Sequence, residues 1–237
     1  PPPRIGIVLV NLNGYDDTAR CLESLATVTY PSHEVIVVDN GSRDDSGARL
    51  KAEYPWATHI RSEENTGFTG GNNIGIEHAM ASGCEHVLLL NNDTIVTPGF
   101  LEPLVRRLLT NDGIAAVSGK IYYAPEARNG ASDVLWYAGC FRKWHMGYHH
   151  FGVEERDTGR YDTATEIPYA SGCLMLMRGE LIRKIGGLSP EYFIYWEEAD
   201  WCHRARDLGY TGVAVMHPSH IAIANAVFRP TPEEVAY

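Results

Sequence analysis

Continuous apolar runs alternate with amphipathic stretches through the first half of the chain. Residues 5–10 form one such run and lead into Asn11-Leu12-Asn13-Gly14; residues 35–38 form a second and lead into Asp39-Asn40-Gly41-Ser42. A run without polar alternation suits a strand covered on both faces, as in a parallel sheet. Between them Ala19, Leu22 and Ala26 share one helical face, which predicts a helix over 17–26. Asp44 or Asp45 is placed to cap a helix reaching residue 54, and a short strand is predicted over 58–61. A helix over 73–81 follows, then a strand over 87–90 that runs into Asn91-Asn92-Asp93. Pro98 suits the first position of a helix reaching residue 109, and residues 115–118 read as a fifth strand. This order predicts an α/β fold with a mostly parallel central sheet flanked by helices.

The second half has a different texture. Residues 122–168 mix Gly, aromatic and charged residues with little periodicity, and predict hairpins and loops with a mobile part over 152–165. A strand over 173–177 and a helix over 180–185 closed by Gly186-Gly187 follow. A helix over 197–208 closed by Gly209 and a strand over 213–216 complete the pattern. The stretch from Phe228 reads as loose or cut short, and the missing initiator Met reads as a trimmed start. We divide the chain into two halves of one domain, 1–121 and 122–237; a length of 237 residues is ample for a buried core.

Composition narrows the partners. Lys and Arg number 20 against 30 Asp and Glu, a net charge of −10 with no dense basic run, so nucleic acid is a poor partner. No apolar run approaches the ~18 residues of a membrane span, and no signal pattern opens the chain. Five cysteines without a CxxC spacing read as buried, reduced thiols of a cytoplasmic protein. A zinc site at His145, His149 and His150 lacks any supporting Cys or carboxylate spacing.

Ligands of open α/β sheets bind at the carboxyl ends of the strands. Three strand ends here carry Asn, Asp, Gly or Ser, so Asn11, Asp39, Ser42, Asn91, Asn92 and Asp93 converge on one edge. Asp39 suits a nucleobase or ribose, or simply forms a turn. The glycines of the 65–72 segment let backbone N–H groups approach a phosphate or ribose, or merely connect. Asp93 suits a Mg²⁺ or Mn²⁺ that keeps water and substrate phosphates in its shell, and His217 or His220 can complete that shell. Trp196-Glu197-Glu198-Ala199-Asp200-Trp201 packs three carboxylates and two indoles at a helix start. The helix dipole favours acids there, and indoles also give sugars a flat platform.

These blocks resemble family 2 of the glycosyltransferases. The resemblance rests on Val38-Asp39-Asn40-Gly41-Ser42, Asn65-Thr66-Gly67-Phe68 with Gly71-Asn72, Leu90-Asn91-Asn92-Asp93-Thr94, and the stretch from Ser171-Gly172 through Gly186-Gly187-Leu188 and Glu197-Glu198-Ala199-Asp200 to Gly209-Tyr210. Within the family the chain is most similar to the rhamnosyltransferase and galactofuranosyltransferase-like branch. The resemblance implies a GT-A fold and inverting transfer from a nucleotide-diphosphate sugar, UDP- or dTDP-linked, to a glycan or lipid-linked glycan, with 1–121 as the nucleotide-sugar-binding half and 122–237 as the acceptor-binding, catalytic half. It implies that Asp39 binds the base, that Asn65, Gly67, Phe68, Gly71 and Asn72 line the nucleotide pocket beside Asn11, Ser42, Asn91 and Asn92, and that Asp93 holds the cation.

Glu198 takes the position of the family's catalytic carboxylate, with Asp200 as the competing candidate. Trp196, Glu197 and Trp201 are expected at the acceptor, and spacing also offers Glu197 an ion pair with Arg204. The family's Asp-x-Asp metal motif has Asn91 at its first position here, and its catalytic Asp is Glu. Polysaccharide or cell-wall synthesis, a homodimer and a peripheral site at the inner face of a membrane are compatible with this reading. A sugar-phosphate nucleotidyltransferase and a non-catalytic glycan-binding protein are the alternatives; the first lacks a cation after the first strand.

Overall fold

The computed structural model describes residues 1–142, 147–211, 213–216 and 221–223. The runs read as buried strands are β1 (Ile5–Asn11), β2 (His33–Asn40), β3 (Thr58–Ser62) and β4 (His86–Leu90). They alternate with α1 (Tyr15–Leu25), α2 (Ser46–Glu53) and α3 (Gly67–Ala81). β5 (Thr94–Val96), α4 (Leu101–Leu109), β6 (Ala116–Gly119), β7 (Ile121–Tyr122) and β8 (Leu135–Tyr137) follow. Next come β9 (Cys140–Arg142), β10 (Tyr148–His150), β11 (Thr165–Ile167) and β12 (Leu174–Arg178). The remainder is α5 (Gly179–Ile185), α6 (Glu197–Asp207), β13 (Val213–Met216) and β14 (Ile221–Ile223).

The main sheet has eight strands in the order β11-β13-β6-β12-β4-β1-β2-β3. Four neighbouring pairs are parallel (β1–β2, β1–β4, β2–β3, β6–β13) and three are antiparallel (β4–β12, β6–β12, β11–β13). β12 is thus an antiparallel strand wedged between β4 and β6, every residue of it buried. Burial on both faces explains why β1, β4 and β12 lack alternation. A small sheet of β5, β14, β7 and β8 and a separate β9–β10 ribbon complete the architecture.

Three expectations change. α3 starts at Gly67 rather than residue 73, so the Gly-rich segment is a helical turn. Its glycines serve close packing: a Cβ on Gly71 would lie 2.7 Å from Val10 Cγ1, so only glycine lets α3 approach β1 this closely. α4 starts at Leu101, because residues 94–96 are spent on β5 and Phe100 N–H closes a turn onto the Thr97 carbonyl. The segment expected to be mobile is held by side chains. Lys120 is completely buried and bonds Asp157 at 2.7 Å and also Asp162, while Tyr122 Oη donates to Asp157 at 2.6 Å. A buried ammonium needs such partners, and they lie in this loop. All five cysteines are buried and free, as expected. No helix among the described residues is long and apolar enough to cross a membrane.

Candidate active site

Hydrogen bonds tie the strand ends together. Asn11 is completely buried, and its amide donates to Ser42 Oγ (3.2 Å), Ser46 Oγ (3.1 Å) and, more weakly, Asp39 Oδ1 (3.5 Å). Thr18 Oγ1 donates to Asn11 Oδ1 at 3.0 Å and accepts from the Asn92 amide at 2.8 Å. Asn11, Asp39, Ser42 and Asn92 therefore form one network across β1, β2 and the end of β4. Asp39 accepts the Ser42 N–H at 3.2 Å and faces Arg61 Nη1 at 2.5 Å. Thr18, Ser46 and Arg61 escaped the sequence reading. For Arg61 a signal existed, since it ends the predicted strand beside Asp39.

Asn40 carries the join to α3. Its amide donates to Asn65 Oδ1 (3.1 Å) and the Gly67 carbonyl (3.0 Å), and its Oδ1 accepts the Thr66 N–H at 3.1 Å. Asn65 is exposed and accepts the Gly67 N–H at 2.9 Å, so it organises the first turn of α3. Asn72 is corrected: it is buried, and its amide is turned back onto the Phe68 carbonyl at 2.9 Å, an interior helix bond rather than a pocket wall. Gly71 likewise faces Val10, not a ligand. Gly67 has φ +75°, and a Cβ there would lie 2.5 Å from the Phe193 carbonyl oxygen. The Phe68 ring lies against Gly172, so the 189–196 loop and the 171–173 turn both rest on the start of α3.

The turn after β4 presents two unsatisfied acceptors. Asn91 Oδ1 and Asp93 Oδ1 are buried and have no hydrogen-bond partner. Burial, with Asp17 as a minor contributor, pushes the Asp93 carboxyl up to about 6. Two inward oxygens lacking a donor fit a hard cation that completes its shell with water and phosphate oxygens. No group of three or more His, Cys, Asp or Glu suited to a metal occurs among the described residues. His217 and His220 lie outside them.

At α6 the acids separate by role. Asp200 accepts from Arg204 Nε at 2.7 Å, and Arg204 also donates to the Ile185 and Gly187 carbonyls at 2.8 Å. This corrects the expected Glu197–Arg204 pair: both spacings are helical, but Glu197 is 3% exposed and faces inward. Glu197 and Glu198 instead lie side by side at the start of α6, both taken out of water. Burial first, then the charge of Glu198, pushes Glu197 far above the usual carboxylate range; burial also raises Glu198, against the pull of the Gly172 N–H. Oε2 of each is buried without a partner. Glu197 is thus held in the interior, not at the surface where it was expected to meet an acceptor.

Trp201 is also corrected. It is 0% exposed, with Nε1 donating to the Gly186 carbonyl at 3.1 Å, because it lies on the buried face of α6 with Glu197, Cys202 and Ala205. Trp196 is the indole that remains available, at 55% exposure. It and Tyr195 have φ of 74° and 71°, two consecutive non-glycine residues in the left-handed region. Such backbone costs on the order of 1–3 kcal/mol per residue and gathers at functional sites. A cleft of about 290 Å³ opens here, lined by Arg142, Tyr148, Tyr192, Trp196, Asp200 and His203 among others.

Residues 6–186 match the model of glycosyl transferase family 2. Over 215 residues the chain is 25% identical to the low-salt glycan biosynthesis hexosyltransferase Agl10 of Haloferax volcanii, covering 85% of this chain and 61% of that protein. Over 88 residues it is 38% identical to galactofuranosyltransferase GlfT1 of Mycobacterium tuberculosis, covering 36% and 29%. The chain therefore spans about three fifths of the first relative and less of the second. Among solved structures, GalNAc-T7 with UDP, GalNAc and Mn²⁺ superposes with a TM-score of 0.71 at 15% identity, over 93% of this chain and 44% of that one. The mannosyltransferase PcManGT of Pyrobaculum calidifontis, with GDP-Man and Mn²⁺, gives 0.65 at 19% identity, over 96% and 58%. The fold is GT-A, and the chain belongs to glycosyl transferase family 2.

Proposed function

We propose that the chain transfers a sugar from a nucleotide-diphosphate donor to a glycan hydroxyl, inverting the anomeric centre. The observation that carries the reading is Glu198, a half-buried acid whose carboxylate Oε2 is buried without a partner, one residue from the wall of an open cleft. An unsatisfied buried carboxylate with a raised proton affinity is suited to general-base work.

The donor half is 1–121. Asp39 receives the base or ribose, the α3 start organised by Asn40 and Asn65 adjoins it, and Asn91 and Asp93 face the diphosphate. Asp93 and Asn91 Oδ1 would hold a divalent cation, Mg²⁺ or Mn²⁺, which when bound neutralises diphosphate charge. The Mn²⁺ in the two structural neighbours supports this assignment. Glu198 accepts the proton of the acceptor hydroxyl as that oxygen bonds to the anomeric carbon. The bond to the diphosphate oxygen breaks on the opposite face and the nucleoside diphosphate leaves with the electron pair. A single displacement inverts configuration. Asp200, paired with Arg204, positions α6 rather than taking the proton.

The similarity to GlfT1 supports the rhamnosyl or galactofuranosyl branch, with a UDP- or dTDP-linked donor. The acceptor is then a growing polysaccharide or lipid-linked glycan, handled by a cytoplasmic enzyme at the inner face of a membrane. The test is a melting-temperature screen across UDP-, dTDP- and GDP-sugars with and without Mn²⁺. A ligand at 100 times its dissociation constant adds about 2.7 kcal/mol of stability. Stabilisation by one donor class that requires the cation supports the reading; stabilisation by none overturns it.

A further inference from the structure

The turn Ser171-Gly172-Cys173, just ahead of β12, is held from three sides. Within it, Ser171 Oγ accepts the Cys173 N–H at 3.3 Å and the Ser171 carbonyl accepts the Leu174 N–H at 3.1 Å. On one side the Cys173 carbonyl accepts the Asn91 N–H at 3.0 Å, which ties the turn to the segment after β4 that carries Asn91 and Asp93. On the second, a Cβ on Gly172 would lie 3.2 Å from Phe68 Cε1 and 3.3 Å from its Cζ, so the edge of that half-buried ring stands where any other side chain would begin. On the third, Gly172 offers its backbone N–H to the Glu198 carboxyl. Burial raises that carboxyl, and the opposing pull from outside α6 comes from this N–H.

Phe68 has a fixed place of its own. It lies in the first turn of α3, where Asn40 and Asn65 bond the backbone at Thr66 and Gly67. The same turn seats the chain that leads into α6. The Thr69 N–H donates to the Phe193 carbonyl at 3.3 Å, and Gly67, without a Cβ, leaves room for that carbonyl and for the Phe193 ring. Tyr195 and Trp196 then take left-handed backbone, and α6 begins. One helical turn thus supports the base twice, through Gly172 and through the approach to α6. A general base misplaced by about 1 Å loses rate steeply, so such supports matter to the chemistry.

Resting on the transferase reading, we propose that Phe68 is a positioning residue for Glu198: its ring fixes the Gly172 turn, and that turn sets where the base stands. In this role Phe68 touches neither donor nor acceptor. A turn that slackens weakens the base in two ways, by displacing it and by withdrawing an N–H that favours the carboxylate form. The other ionisable groups that face Glu198 are Glu197 and Cys202 on α6, Tyr169 ahead of β12 and Cys140 on β9, and replacing Phe68 removes none of them.

The test measures hydrolysis of the UDP-, dTDP- and GDP-sugars of the melting screen by the full chain with Mn²⁺, water taking the place of the acceptor, followed as nucleoside diphosphate release against pH. Wild-type turnover should climb with pH as Glu198 ionises. Phe68→Ala should lower kcat by about tenfold near neutral pH and move that climb up by about one pH unit, while donor KM and nucleoside diphosphate affinity stay within about twofold. Phe68→Met, an apolar side chain of similar reach, should recover most of both losses. Gly172→Ala disturbs the same turn from the other side, since the ring has to give way to the new Cβ, and should move the climb in the same direction even if Phe68→Ala does not fold. Because both act through one contact, the double variant should be no worse than the poorer single one. A ring that merely fills the core would cost stability or turnover without moving the pH dependence. An unmoved climb in both single variants, or additive losses in the double one, overturns the positioning role. So does a loss of nucleoside diphosphate affinity of about tenfold in Phe68→Ala, which would make Phe68 a wall of the nucleotide pocket. If Glu198→Gln hydrolyses the donor as fast as the wild type, the base assignment has failed. A wild type that neither binds nor hydrolyses any of the donors refutes the transferase reading itself.

Discussion

Asp39 and Arg61 stand opposite one another on the parallel strands β2 and β3, and Arg61 Nη1 donates to Asp39 Oδ2 across 2.5 Å. The carboxylate is buried while the guanidinium side chain is 59% exposed, so the pair presents a charge-balanced edge where a nucleotide is expected. Asp39→Ala should lower nucleoside diphosphate affinity on the order of tenfold, because charge-assisted bonds to the base or ribose are lost. Arg61→Ala should change it less, since that side chain is largely solvated. Calorimetric titration with UDP and dTDP reads both. Equal affinity in wild type and Asp39→Ala would leave Asp39 as a holder of the Ser42 turn.

Asp93 is the only carboxylate in the turn after β4. Asp93→Ala should abolish the cation-dependent part of donor stabilisation, while the melting temperature of the free protein rises or stays level. A buried oxygen without a donor is removed, and such groups cost on the order of 1–3 kcal/mol. The melting shift with donor, measured with Mn²⁺ and with excess chelator, checks this. Full turnover of the wild type in chelator would remove the cation from the mechanism.

Glu198 and Asp200 should respond differently to amide replacement. Glu198→Gln keeps shape and removes basicity, so turnover should drop by ~10²–10⁴-fold with donor affinity retained. Asp200→Asn loses the charged partner of Arg204; the pair is a quarter to a third exposed, so the expected cost is roughly 1 kcal/mol of stability with smaller kinetic loss. Steady-state kinetics with denaturant titration distinguishes them. The opposite pattern would make Asp200 the base.

Glu197 should give the free protein a pH-dependent stability. Its carboxyl is pushed up to about 8, mainly by burial and then by Glu198. The folded state therefore holds a proton that the unfolded chain releases near ~4.3. Stability from this group is complete below that ordinary value and is lost as pH rises through about 8. Glu197→Gln carries no such proton. Its stability should fall less than that of the wild type between about pH 5 and about pH 8, read by urea unfolding at each pH. Parallel curves for the two proteins would refute the raised Glu197 carboxyl.

The fold was legible where apolar runs were long enough to have a period. Residues 5–10, 35–38 and 87–90 leave no alternative to buried strands. β5, β9 and β10, of three residues each, were not legible, because three residues establish no period. The start of α3 was hidden by composition: Gly67, Gly70 and Gly71 read as loop by propensity, yet they sit in a helix, where Gly71 allows close approach to Val10 of β1 and Gly67 to Phe193. At α6 the motif was visible but its faces were not. Spacing allowed Arg204 to pair with either Glu197 or Asp200, and only burial of Glu197 decided it. Counting two indoles beside three acids suggested two platforms, whereas helical position sends Trp201 into the core. Tyr148 and His203 lie 55 residues apart, and no local signal joins them.

The wedged strand β12 bears on how the chain assembles. β4 and β6 belong to the first half, yet the gap between them is filled by a strand made about fifty residues after β6. Until β12 arrives, both neighbours present open backbone edges, a template for pairing with other chains. Contacts at such separations also close slowly. A nascent or truncated chain ending near residue 121 is thus an aggregation hazard rather than a nucleotide-binding module. The two halves have to be made, and inherited, together.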